Sequence, residues 1–120
     1  MSKEKANPLR REGSAYLPLT AVVFDILVSL GDASRHGYGM LKEIEERTGR
    51  RQRAGTLYRA LARLLEEGLV EEVGDVTGAG GIERSRYGLT ALGRSVVVQE
   101  ANRLDEAVRA ARGKDLLGRA

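Results

Sequence analysis

The chain has 120 residues, with 20 Lys and Arg against 17 Asp and Glu, and no cysteine. That length allows one buried core and not two, so a separate catalytic domain is excluded. Without cysteine there is no disulfide, no thiolate nucleophile and no Cys-ligated zinc or iron-sulfur site. His36, the single histidine, cannot supply a multi-histidine metal site. No cofactor and no enzymatic activity are expected. The longest apolar run, residues 21–30, is interrupted by Asp25 and Ser29, and the first residues lead into no stretch of signal-peptide type. A cytoplasmic protein without a membrane partner is therefore expected.

Net charge is only +3, so the placement of the charges carries the information. Residues 47–63 hold six arginines (Arg47, Arg50, Arg51, Arg53, Arg59, Arg63) and no acid, while residues 64–75 hold five acids (Glu66, Glu67, Glu71, Glu72, Asp75) and no base. A solvated helical face usually mixes signs, whereas an acid-free arginine block suits a polyanion. Sixteen of the 20 cations are arginine, which fits phosphate and guanine recognition and equally the codons of a genome rich in G and C.

Residues 1–14 are polar, with Pro8 and Gly13 and no apolar period, and read as a flexible arm. After Pro18, the positions Val22, Val23, Ile26, Leu27 and Leu30 recur at helical spacing and leave only a polar stripe through Asp25 and Ser29. Gly31 and Asp32 end this first helix. A second runs from about Gly37 to a stop at Gly49, with Tyr38, Leu41, Ile44 and Thr48 on one face. The third starts near Ala54 or Gly55 and ends at Gly68; Leu57, Leu61, Leu64 and Leu65 form its apolar face, and Thr56, Arg59 and Arg63 share the other.

Residues 69–76 are short, partly β-branched and bounded by glycines, which predicts a strand; residues 82–89 return as its partner around the Gly-rich tip at 78–81. Thr90 stands at an N-cap position for a last helix. There Val97, Ala101, Leu104, Val108 and Ala111 make a narrow seam flanked by Gln99, Glu100, Arg103, Asp105, Glu106 and Arg109. The expected fold is mainly α with a small β-hairpin: a winged helix-turn-helix over residues 15–90, plus a C-terminal dimerisation helix and short tail over 91–120.

Several stretches carry a resemblance. Leu17-Pro18-Leu19-Thr20 precedes helix one, and His36-Gly37-Tyr38-Gly39 opens helix two. Gly55-Thr56-Leu57-Tyr58-Arg59-Ala60-Leu61-Ala62-Arg63-Leu64 runs through helix three into Gly68-Leu69-Val70, and Tyr87-Gly88-Leu89-Thr90-Ala91-Leu92-Gly93-Arg94 joins the wing to helix four. With these the chain resembles the PadR family of bacterial transcriptional regulators over residues 17–117. The resemblance implies a homodimeric repressor whose third helix enters the major groove and whose C-terminal helices pack across the dimer. It departs from the family in two places. Arg53-Ala54 replaces the usual Ser or Asn and Pro before Gly-Thr-Leu-Tyr, which leaves Thr56 to cap helix three. In the wing strand Glu83-Arg84-Ser85-Arg86-Tyr87 has one tyrosine and fewer bases than usual.

Arg59 and Arg63, one turn apart, can both point into one major groove, where bidentate Arg to guanine is the commonest specific contact; a solvated face with an Arg63 to Glu67 pair is the plainer alternative. Arg50, Arg51 and Arg53 precede that helix and suit phosphate contacts. Thr56 and Tyr58 near the helix start have hydroxyls that could reach phosphates, although Tyr58 would serve nearly as well in packing against helix one. Arg84 and Arg86 alternate with Ser85 and would project from one face of the wing. His36 with Tyr38 reads as a local capping and packing cluster. Residues 90–112 hold no Phe, Tyr or Trp, so an aromatic sandwich for a planar effector is not expected. Tyr16 and Phe24 could line an effector cavity with Val97 and Leu104, or belong to the core. The expected partners are double-stranded DNA carrying an inverted-repeat operator, a second copy of the chain, and an unidentified small-molecule effector. Two other readings stay open: a winged helix serving as a protein-interaction module, and a ligand-binding dimer without DNA binding.

Overall fold

The computed structural model describes residues 13–77 and 83–118, with backbone alone at 75–77 and 83–84. The expected arm up to residue 12 and the Gly-rich tip at 78–82 lie outside the described residues. In chain order the elements are α1 (Ala21–Ser29), α2 (Gly37–Thr48), α3 (Ala54–Glu66), β1 (Val70–Thr77), β2 (Glu83–Leu89) and α4 (Ala91–Gly113).

Local chemistry sets most of these boundaries. Thr20 caps α1, its Oγ1 accepting from the Val23 N–H at 3.3 Å. Gly49 closes α2 in the left-handed conformation at φ 73°, which costs a glycine least. Leu57, Leu61 and Leu64 bury one face of α3 against Ile26 and Leu27 of α1 and Met40 and Ile44 of α2. Full burial of each such side chain is worth about 1.5–3 kcal/mol.

The stripe through Asp25 and Ser29 is not a solvent face. Both residues are buried, Ser29 because its hydroxyl donates to the Ile26 carbonyl at 2.6 Å and Asp25 because Arg47 reaches it from α2. Gly13, expected in the arm, is buried beside Gln99 of α4.

The hairpin is antiparallel, with Val70 opposite Leu89 and Glu72 opposite Tyr87. The register then slips between Glu72 and Asp75, where Gly74 takes φ 126° and makes a bulge. Arg35 pairs with Tyr87 through two backbone hydrogen bonds of 2.9 and 2.8 Å, so the segment before α2 is fastened to β2.

α4 has two halves. Gly93, Val96, Val97 and Glu100 pack into the chain's own core, while residues 101–110 are all exposed on a helix that runs on past it. Val97, expected in an intermolecular seam, is thus a core residue at 9% exposure. Glu100, expected as a polar flank, is 1% exposed. Its carboxylate accepts from the Leu19 N–H at 2.9 Å and from Arg103 Nε and Nη2 at 2.6 and 2.9 Å.

Candidate nucleic-acid interface

α3 starts at Ala54, within the expected range, with Arg53 at its N-cap and no side chain closing the first turn. Thr56 does not take that role; its Oγ1 lies 3.5 Å from Arg59 Nη2, too far along the helix to serve the free amides. Opposite the buried leucines, α3 presents exposed Arg59 and Arg63. Arg63 Nε is 3.5 Å from Glu67 Oε2, so the plainer alternative for that residue is realised. An exposed pair of this kind is worth roughly 0–1 kcal/mol and yields readily to a stronger anion.

The arginine block is acid-free along the chain but not in space. Arg47 donates to Glu43 at 3.0 and 3.1 Å and to Asp25 at 3.3 Å. These carboxylates, chiefly the Glu43 hydrogen bond, hold its guanidinium above the usual arginine range. Arg50 Nη2 lies 3.7 Å from Asp25 Oδ2, and Arg51 Nε the same distance from Glu45 Oε2. The folding of α1 and α2 against the segment before α3 supplies acids that the linear sequence kept apart. Among the described residues, Arg53 and Arg59 are the members of the block left without an acidic partner.

On the other flank of α3, Tyr58 is half out of the surface, its hydroxyl over the first turn of α2; a Cβ on Gly37 would overlap it. Tyr58 therefore packs on the start of α2, whereas the packing partner expected from the sequence, as the alternative to a phosphate contact, is α1. His36, Gly37, Tyr38, Tyr58, Ser85 and Tyr87 line an open cavity of about 550 Å³. His36 makes no side-chain cap for α2; its Nδ1 lies 3.0 Å from the Ser85 carbonyl. Sequence reasoning missed this site because its walls come from three elements, although the small Gly37 between His36 and Tyr38 was a signal that something approaches there.

Arg86 on β2 is half-buried, and its Nε is buried with no partner among the described residues. The side chain of Arg84 is not among those described. Tyr16 lines a groove of about 440 Å³ together with Arg59 and Arg63, whereas Phe24 packs on the core and takes no part in it. Among the described residues no group of His, Asp or Glu could hold a metal ion, and no helix is long and apolar enough to cross a membrane.

The model of the Transcriptional regulator PadR-like family matches residues 26–99, more than half of the chain. The chain belongs to that family. A PadR family transcription regulator from Clostridium difficile R20291 has the same fold, with TM-score 0.70 and 21% identity over 78% of this chain and 97% of that one. RosR of H. salinarum matches with TM-score 0.61 and 28% identity over 83% of this chain and 96% of the other. Bacillus subtilis PadR in complex with operator DNA matches with TM-score 0.61 and 21% identity over 67% of this chain. The match covers 47% of the Bacillus chain, so this PadR-like chain spans about half its length. No curated protein matches. The PadR-like family is one of DNA-binding regulators rather than enzymes, and among the described residues this member has the elements of a winged helix-turn-helix, α1, α2, α3, β1 and β2, followed by α4.

Proposed function

We propose that this PadR-like protein is a homodimeric, cytoplasmic repressor that binds an inverted-repeat operator and leaves it when a small molecule binds. The observation that carries the reading is the exposed face of α3, where Arg59 stands without an acidic partner between the uncapped helix start and Arg63. Arg59 and Arg63 read base edges in the major groove. Arg50, Arg51, Arg53 and Thr56 hold phosphates around the start of α3, and Arg84 and Arg86 reach the backbone from the wing. The effector's place is the groove beside Tyr16, since an occupant there would engage Arg59 and Arg63 and withdraw them from DNA. Phe24 is no longer part of that site.

A gel shift on the DNA upstream of the chain's own gene, with random DNA as competitor, tests the reading. Binding should weaken steeply with salt as phosphate neutralisation releases counterions. Arg59→Ala should lower operator discrimination by about 1–3 kcal/mol, the value of a bidentate base contact. Arg50→Ala should weaken operator and random DNA alike. Undiminished preference after both Arg59→Ala and Arg63→Ala would remove α3 from the recognition role.

A further inference from the structure

The cavity between α2, α3 and β2 has no part in the roles assigned above, and its chemistry is specific. Its walls carry the His36 imidazole, the hydroxyl-bearing side chains of Tyr38, Tyr58, Tyr87 and Ser85, and no carboxylate. Its lining draws on α3 through Tyr58 and on the wing strand through Ser85 and Tyr87, the two elements that would touch DNA, so a backbone strand bridging them would lie beside it.

His36 sets the selectivity. A carbonyl only accepts, so the 3.0 Å contact to Ser85 places the Nδ1 proton between the two and fixes the tautomer. In the neutral ring Nε2 is therefore a lone-pair acceptor, which opposes a phosphate oxygen. Protonation turns the same atom into a charged donor, and charge-assisted bonds to phosphate are the strong ones. We propose that this cavity binds a DNA backbone phosphate and that His36 holds it as the imidazolium, so that DNA affinity rises as pH falls.

Three elements supply the groups around His36. α2 supplies Tyr38, whose ring lies 5.8 Å from the Lys42 ammonium, and α3 supplies Tyr58. β2 supplies Ser85 and Tyr87, while neighbouring Arg86 alternates to the opposite face. On β1, the backbone of Glu72 stands opposite Tyr87 and that of Asp75 opposite Ser85. Arg35, adjacent in sequence, is turned to the Ser29 carbonyl and Asp32.

The inference rests on the DNA-binding reading, and one experiment separates the two. Binding of a fluorescein-labelled random-sequence duplex is followed by anisotropy at constant ionic strength from about pH 8 to about pH 5.5, the range in which imidazoles change charge. The wild type should tighten by roughly tenfold, the worth of one charged hydrogen bond. His36→Asn, which keeps an amide donor for Ser85 and has nothing to titrate, should stay at the wild type's high-pH affinity throughout. A flat wild type, or a slope that survives in His36→Asn, overturns the site while leaving DNA binding standing. Absence of duplex binding at every pH removes both readings.

The wild type alone provides a second readout. His36 is the single histidine, so its ring nitrogen resonances need no assignment. They should move on adding duplex and not on adding inorganic phosphate at the same concentration. Nitrogen signals that ignore duplex at low pH, or that move only with inorganic phosphate, reject a DNA phosphate at this cavity.

Discussion

Glu100 is the side chain that ties the segment entering the fold to the helix leaving it. Arg103, first, and the Leu19 amide hold its carboxyl below the usual carboxylate range, against the opposing effect of burial. A depressed folded value means that the ionised form stabilises the protein. That contribution is complete above the unfolded carboxylate value, near pH 4.3 on average, and is lost as pH falls through the lower folded value. Glu100→Ala should destabilise the protein at neutral pH by about 2 kcal/mol, because the part-buried Leu19 N–H loses its acceptor. The gap between thermal melts of wild type and variant should narrow as the pH drops below the carboxylate range, because the protonated carboxyl still accepts from Leu19 but no longer pairs as an anion with Arg103. A gap between them that stays constant down to low pH would show that the charge of Glu100 contributes nothing.

Thr90 joins two elements with one hydroxyl: it accepts from the Gly93 N–H at 3.0 Å, starting α4, and donates to the Gly68 carbonyl at 2.6 Å, closing the end of α3. The chain doubles back so closely here that a Cβ on Gly93 would overlap the Leu69 carbonyl. That carbonyl cannot retreat freely, since it accepts from the Thr90 N–H at 3.2 Å while the Leu69 N–H donates to Leu64 at 3.0 Å. Gly93→Ala should therefore cost about 1–3 kcal/mol, as overpacking does, despite alanine's better helix propensity. A denaturant midpoint at or above the wild-type value would contradict this. Much of this architecture was legible beforehand because its causes are local. Thr90 as a cap, Gly49 and Gly68 as stops and the four-residue recurrence of leucines in α3 each act within a turn or two of themselves. What was misread depends on neighbours from elsewhere. Asp25 reads in the sequence only as part of a polar stripe, and its partner Arg47 comes from another helix; the arginine block is acid-free in sequence, and folding brings Asp25, Glu43 and Glu45 beside it. Thr56 was given a cap that its place inside the first turn does not allow, and Glu100 was set on a polar flank although the chain before α1 lies against it.

At the scale of the whole molecule, the extents of 55 × 42 × 21 Å reflect a thin body with a helix running beyond it. One stripe along α4 does two jobs in succession. Over Gly93, Val96 and Val97 it is covered by the chain's own core, and past Glu100 the same side continues bare through Leu104 at 36% and Val108 at 40% exposure, beside exposed Ala101 and half-buried Ala111. Leu116 and Leu117 extend the uncovered apolar surface beyond the helix end. An apolar strip of that kind calls for a partner, and a second α4 is the surface of matching pattern. We expect a dimer about a two-fold axis along these helices, which would set two α3 helices roughly 34–36 Å apart, one turn of DNA. Leu104→Asp discriminates sharply because the site is half open in the single chain. A carboxylate there can stay hydrated in a monomer, so the melting curve of an isolated chain should barely move, whereas in the paired seam it would be desolvated opposite its own copy. Light scattering should accordingly report a folded monomer for the variant and a dimer for the wild type. Footprinting should show the variant's protection weakened and without dyad symmetry. A wild-type monomer, or a variant dimer of unchanged affinity, would mean that α4 overhangs for some other partner.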